Sequence, residues 1–191
     1  ILIYLDHAAN TPADPEVVDC FCRAALAFPG NPNSLHCEGK RANAEMERIT
    51  EEIARMLGCK PGEIIYTSSA SEANNLAIKG LVRSNRHRGK HIITTCLEHS
   101  SVSGALTWLQ EQGYEIELVD IGRDGRVDLE AFRDAIRPDT VLVTVCVVDG
   151  ELGTVQPIRE MAEILKAHPG VSFHVDAVQA VGKIPVLFED I

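Results

Sequence analysis

Three short runs hold the residues of this chain best suited to chemistry. Thr67-Ser68-Ser69-Ala70-Ser71-Glu72 lies where an apolar run gives way to a helical pattern opened by Ser71. The free N–H groups and dipole of a helix N-terminus favour an anion such as a phosphate. Ala70 and Ser71 occupy that place, and the Ser71 hydroxyl adds a donor. A plain N-cap at Ser71, with Glu72 supporting the first turn, is the competing reading. Glu98-His99 follows the next apolar run. An imidazole between strand and helix could stack on a flat ring and exchange protons, or simply be structural. His174-Val175-Asp176-Ala177-Val178-Gln179 follows a later run. A carboxylate closing a buried strand is costly without a partner. For Asp176 that partner could be a protonated pyridine nitrogen, a helix N-terminus or a buried cation. Gln179 could donate to a phenolate oxygen on such a pyridine, or be a solvated helix residue.

No one of these residues is decisive. Their order along the chain suits one cofactor, pyridoxal 5'-phosphate (PLP): a phosphate cradle, a ring-stacking imidazole and an acid that keeps the pyridine nitrogen protonated.

The elements that must position them alternate between strand and helix. Met46, Ile49, Ile53 and Met56 recur at helical spacing over residues 41–57, with Gly58 as the stop. Strands are expected at 63–67, 91–95, 114–119, 141–148 and 171–175. Helices are expected through Leu76, Ile78 and Leu81, through Val102, Ala105, Leu106 and Leu109, after a cap at Asp128, and after Pro157. The near-continuous β-branched run 141–148 is what a parallel strand buried on both faces requires. The pattern predicts an α/β fold with an open, mostly parallel sheet flanked by helices. In such sheets ligands bind beyond the carboxyl ends of the strands, where all three runs fall. The Gly/Pro/Asn-rich loop 29–34 reads as a turn or a place of close backbone approach.

Composition narrows the alternatives. A net charge of −10 argues against nucleic acid or an anionic membrane as a general partner. No stretch is apolar enough to span a bilayer. The six cysteines form no Cys-x-x-Cys pair, so a zinc ribbon or thioredoxin-like motif is not expected, and no metal site is predicted. Cys96 and Cys146 read as buried thiols, and a reducing, cytoplasmic compartment is expected.

The sequence resembles the cysteine desulfurase family, in the class V branch of fold-type I PLP enzymes. The likeness is carried by Tyr4-Leu5-Asp6, Ala8-Ala9, Thr11-Pro12, Gly30-Asn31-Pro32, Ser34-Leu35-His36, Thr67-Ser68, Ala70, Glu72 and Asn74 to Gly80. It continues through Glu98-His99, Glu151, Gly153 to Pro157, His174 to Ala177 and Gln179, and covers essentially the whole chain. The resemblance implies a reaction that takes sulfur from L-cysteine, leaving alanine and an enzyme persulfide for iron–sulfur clusters or thio-cofactors. It implies that Ala70 and Ser71 bind the phosphate, His99 stacks and shuttles protons, Asp176 pairs with the pyridine nitrogen and Gln179 reaches the phenolate oxygen. It further implies a homodimer, or a complementing C-terminal chain, with a sulfur-acceptor protein as a further partner. Residues 1–12 would be an arm of the small domain, and 13–191 an incomplete large PLP-binding domain.

Several features depart from the family. Its cofactor-bonding lysine and its sulfur-accepting cysteine both lie beyond the position where this chain ends, so covalent attachment at the family position is not possible here. Asp149-Gly150 stands where the family has Asn-Asn. Gly150 lacks the amide that would donate near the phenolate oxygen, and Asp149 brings an acceptor charge. Ser69 replaces a cradle glycine and would be strained if that site needs positive φ. The strands that would separate 63–67 from the Asp176 strand are missing, which would divide the cup and leave strand edges open. The chain therefore reads as the N-terminal part of such an enzyme, inactive alone. Alternatives are a split-subunit or non-catalytic paralog acting as a binding partner, a selenocysteine lyase, or a class V aminotransferase relative.

Overall fold

Thr140–Cys146 is buried at every position, and the sheet is built around it. In the computed structural model, which describes residues 3–188 and 191, the elements run as follows. Helices α1 (Pro15–Ala27) and α2 (Cys37–Leu57) come first, then a 3-10 turn (Pro61–Glu63) and α3 (Ala70–Asn85). There follow β1 (His91–Thr94), α4 (Ser100–Glu111), β2 (Glu115–Leu118), α5 (Leu129–Ala135), β3 (Thr140–Cys146), α6 (Ile158–Leu165) and β4 (Ser172–Asp176). The four strands form one parallel sheet in the order β2-β1-β3-β4.

Two compact units are distinguished. The first runs up to Ile65 and takes in Leu187 and Phe188; the second is Tyr66–Val186. In the first, Asp14 caps α1 through a bond from the Glu16 amide (2.8 Å), and Gly58 ends α2 in the left-handed conformation at φ 66°. The loop 29–34 does make a close approach, to the chain's own helix. A Cβ on Gly30 would lie 2.6 Å from the Glu38 carbonyl carbon, and one on Gly39 would collide with Ser34 O. On α2, Met46, Ile49 and Met56 of the apolar stripe are exposed, and Gly39, Ala42 and Ala54 are buried. Of the expected arm, Ile1 and Leu2 lie outside the described residues.

The second unit carries a core on each side of the sheet. Ile93, Phe132, Val143, Val145, Ile158, Met161 and Leu165 form one cluster; Ile78, Val82, Ile92, Val102, Leu106, Leu109 and Leu142 form the other. Asp128 caps α5, accepting from the Glu130 and Ala131 amides at 2.9 and 3.1 Å. A fully buried His91 bonds Thr140 Oγ1 (2.8 Å) and Glu117 Oε2 (2.9 Å), stitching β1 to both neighbours.

The strand expected at 63–67 does not form. Its first residue ends the 3-10 turn, and the rest belongs to no strand among the described residues, with Ile65 and Tyr66 exposed. An apolar run becomes a strand only where a neighbour supplies the other half of its hydrogen bonds.

Candidate functional site

Helix α3 begins one residue earlier than the sequence suggests. Ser69, not Ser71, is the N-cap, its Oγ accepting from the Glu72 amide at 3.3 Å. Ser69 has φ −166°, which is extended backbone open to any residue, so the expected strain is absent. Glu72 turns back to accept from Ser68 N (2.7 Å) and Ser68 Oγ (2.6 Å), and these bonds hold its carboxyl below the usual range. That leaves Ala70 and Ser71 in the first turn, where N–H groups have no partner within the helix.

One turn further, Asn74 is buried on the α3 face that also buries Ile78 and Val82. Its Nδ2 donates to Asp176 Oδ2 at 2.8 Å and to Ser101 Oγ at 2.9 Å. Asp176 is the last residue of β4, and its Oδ1 accepts from Val178 N at 3.0 Å. Ser101 Oγ lies 2.8 Å from His99 Nδ1, which also accepts from Ser101 N at 3.2 Å as the N-cap of α4. A continuous hydrogen-bonded path thus joins Asp176, Asn74, Ser101 and His99, with the first turn of α3 beside it. The expected division of the cup is bridged on its helical side by Asn74. Asn74 entered the sequence reading only as part of a matching stretch, with no role, and Ser101 not at all. The available signal was a polar residue four and eight positions before Ile78 and Val82 in a buried stripe.

Behind this path lies Glu98. Its Oε1 accepts from Thr95 Oγ1 (2.8 Å) and Cys146 N (3.0 Å), while its buried Oε2 has no hydrogen-bond partner among the described residues. Burial, with a smaller contribution from the Asp176 charge, pushes its carboxyl up to about 7. Burial also pushes the Cys146 thiol up to about 12. Cys96, expected to be buried, is exposed in the turn after β1, because that strand ends at Thr94.

Gln179 follows in the turn after β4, its Oε1 accepting from Lys183 Nζ at 2.8 Å. It faces Gly150, where an added Cβ would meet Gln179 Cγ at an ordinary 3.7 Å. Asp149 is buried, and its Oδ2 accepts from the Glu151 (3.2 Å) and Leu152 (2.5 Å) amides. Its charge is therefore spent on closing the 149–153 turn. Among the described residues no cluster of side chains could hold a metal ion, and no helix is long and apolar enough to cross a membrane.

An acid at the end of one parallel strand, an imidazole beyond the end of its neighbour but one and a helix N-terminus form the arrangement of open α/β sheets that bind ligands beyond their strand ends. The aminotransferase class-V family matches residues 3–191, and the chain belongs to that family. Curated relatives that it matches there include cysteine desulfurases. The chain is 43% identical over 185 residues to the mitochondrial cysteine desulfurase of Arabidopsis thaliana, covering 96% of this chain and 41% of that protein. It is 44% identical over 186 residues to cysteine desulfurase IscS of Dechloromonas aromatica, covering 96% and 46%. A solved NifS-like protein superposes with a TM-score of 0.94 at 35% identity, over 99% of this chain and 52% of that one. SspA solved in complex with cysteine superposes with a TM-score of 0.90 at 34% identity, over 98% and 54%. The chain thus spans about half the length of the relatives it matches, in their N-terminal part.

Proposed function

We propose that this chain is the N-terminal part of a PLP-dependent cysteine desulfurase, which takes sulfur from L-cysteine and leaves alanine and an enzyme persulfide. The observation that carries the reading is the hydrogen-bonded path from Asp176 to His99 beside the first turn of α3. The residues present fit the cofactor. The Ala70 and Ser71 amides would hold its phosphate in the positive field of the helix end. Asp176, oriented by Asn74 and Val178, would accept from its pyridine N–H. His99 would lie against its ring and move a proton at the ring nitrogen not engaged with Ser101. Gln179, in the turn after Asp176, would reach the phenolate oxygen. When bound, PLP supplies an electron sink for the substrate carbon.

No lysine in the chain matches the family's cofactor-bonding position, and Lys79, Lys90, Lys166 and Lys183 are engaged with Trp108, Tyr114, Glu163 and Gln179. We propose that the chain alone binds PLP without a covalent link and does not turn over cysteine. The complete protein would be a homodimer, or be completed by a C-terminal chain, and would hand sulfur to an acceptor protein in a reducing compartment. Residues 1–12 would serve as its small-domain arm. The Asp149-Gly150 pair favours a second reading, a non-catalytic subunit. The test is titration of the purified chain with PLP, followed by borohydride reduction, mass analysis and an assay of sulfide and alanine from L-cysteine. Reversible absorbance without a linked lysine or product is expected. Product release by the chain alone overturns its inactivity, and failure to bind PLP overturns the cofactor reading.

A further inference from the structure

We infer that Asn74 and Ser101 are positioning residues that fix the tautomer of His99, placing its single proton on Nε2 in the neutral ring. Donors and acceptors can be assigned in turn along the path. An ionised carboxylate only accepts, so the Asn74 group facing Asp176 Oδ2 at 2.8 Å must be the amide nitrogen. Its second N–H points at Ser101 Oγ, 2.9 Å away, and makes that oxygen an acceptor. That oxygen still has a proton to give and a lone pair to accept with, so the direction of its bond to His99 Nδ1 at 2.8 Å is set by the other group facing that nitrogen. The Ser101 backbone N–H reaches the same nitrogen at 3.2 Å. With two donors directed at it, Nδ1 must be the unprotonated nitrogen, and the ring proton lies on Nε2.

The consequence concerns the direction of proton transfer. His99 is exposed, and Nε2 is the nitrogen not engaged with Ser101. A neutral His99 held this way offers a proton at Nε2. It begins as a donor toward a bound group, and can accept there only after that proton has left. Asp176 bears on this state from across the path, through the side chains of Asn74 and Ser101.

This inference deepens the proposed role of His99, but it is read without cofactor or turnover and so stands or falls separately. The experiment is long-range 1H–15N correlation of the histidine rings in the 15N-labelled chain at neutral pH, with His99→Gln assigning its signals. Wild type should show the Nε2–H pattern, with Nδ1 at the unprotonated position. Ser101→Ala should move both ring shifts toward those of a free imidazole. Asn74→Asp is nearly isosteric but turns a donor into an acceptor. Facing Asp176 across 2.8 Å, the introduced carboxyl shares one proton with it and draws the Ser101 hydroxyl away from His99, so the Nδ1 shift should move as one of its two donors is lost. Ser101→Thr should retain the wild-type pattern. Amide dispersion of Ile92 and Val143 reports folding in each variant. A wild-type ring protonated at Nδ1 overturns the inference on its own. So do His99 shifts unmoved in a folded Asn74→Asp chain, because Asn74 has no bond to His99 and acts only through Ser101.

Discussion

Asn74 Nδ2 lies 2.8 Å from Asp176 Oδ2, joining helix α3 to the end of strand β4 across 102 positions of sequence. Both side chains are buried, so each satisfies a polar group that water cannot reach. A hydrogen bond to a buried charged group contributes about 1.5–3 kcal/mol. Asn74→Ala and Asp176→Ala should each destabilise the chain by that order. A double-mutant cycle by urea unfolding should return a coupling energy of roughly 1–2 kcal/mol. Strict additivity would show that the contact does not form in solution.

The amide of Ala70 can be removed with little disturbance. Proline is favoured in the first helical position, and the preceding Ser69 is already extended, as a residue before proline should be. Ala70→Pro should leave helix content unchanged by circular dichroism. It should weaken PLP binding by ~10-fold or more, the loss of one charge-assisted hydrogen bond. Equal affinity in the two proteins would move the phosphate elsewhere.

Glu98 gives stability a pH dependence with a defined sign. Its folded carboxyl titrates at about 7 against a reference of 4.5. The neutral form is the one the fold accepts, so its contribution is complete below 4.5 and is lost as pH rises to about 7. The difference amounts to about 3 kcal/mol. His174 acts in the opposite sense. Its ring is held neutral by burial and bonded to Thr144 Oγ1 at 2.8 Å, so stability is lost as pH falls below its ordinary value of 6.5. Glu98→Gln should flatten the decline between pH 4.5 and 7 and leave the loss due to His174. Unfolding free energies across that range provide the measurement.

Thiol reactivity should divide the cysteines. Cys20, Cys22, Cys37 and Cys96 are exposed, whereas Cys146 is buried with its thiol pushed up to about 12. At about pH 8 iodoacetamide should modify the exposed four first. Cys146 should react only on unfolding, since the thiolate is the nucleophile. Peptide mapping against time resolves the order, and early labelling of Cys146 would contradict its environment.

What could be read from the sequence depended on whether a residue's partners were local. The β-branched run of β3, the α4 stripe and the Asp128 cap are set by near neighbours, and each appears where the pattern puts it. The strand expected at 63–67 needed a neighbouring strand, and it does not form. The Met46, Ile49 and Met56 stripe identified residues sharing a face without telling what would cover it. Asp176 and His99 stood out because a carboxylate and an imidazole are conspicuous beside apolar runs. Asn74 joins them through contacts 27 and 102 positions apart, which no local spacing encodes, and Ser101 completes the path to His99.

His99 is also the residue that closes the start of α4, its Nδ1 accepting from Ser101 N. Exchanging it for alanine would therefore unravel the first turn of a helix as well as remove an imidazole, at a cost of about 1 kcal/mol for the lost cap. An inactive alanine variant would confound two injuries. Asparagine, which caps helices well but has no imidazole, is the substitution that isolates the ring's own part.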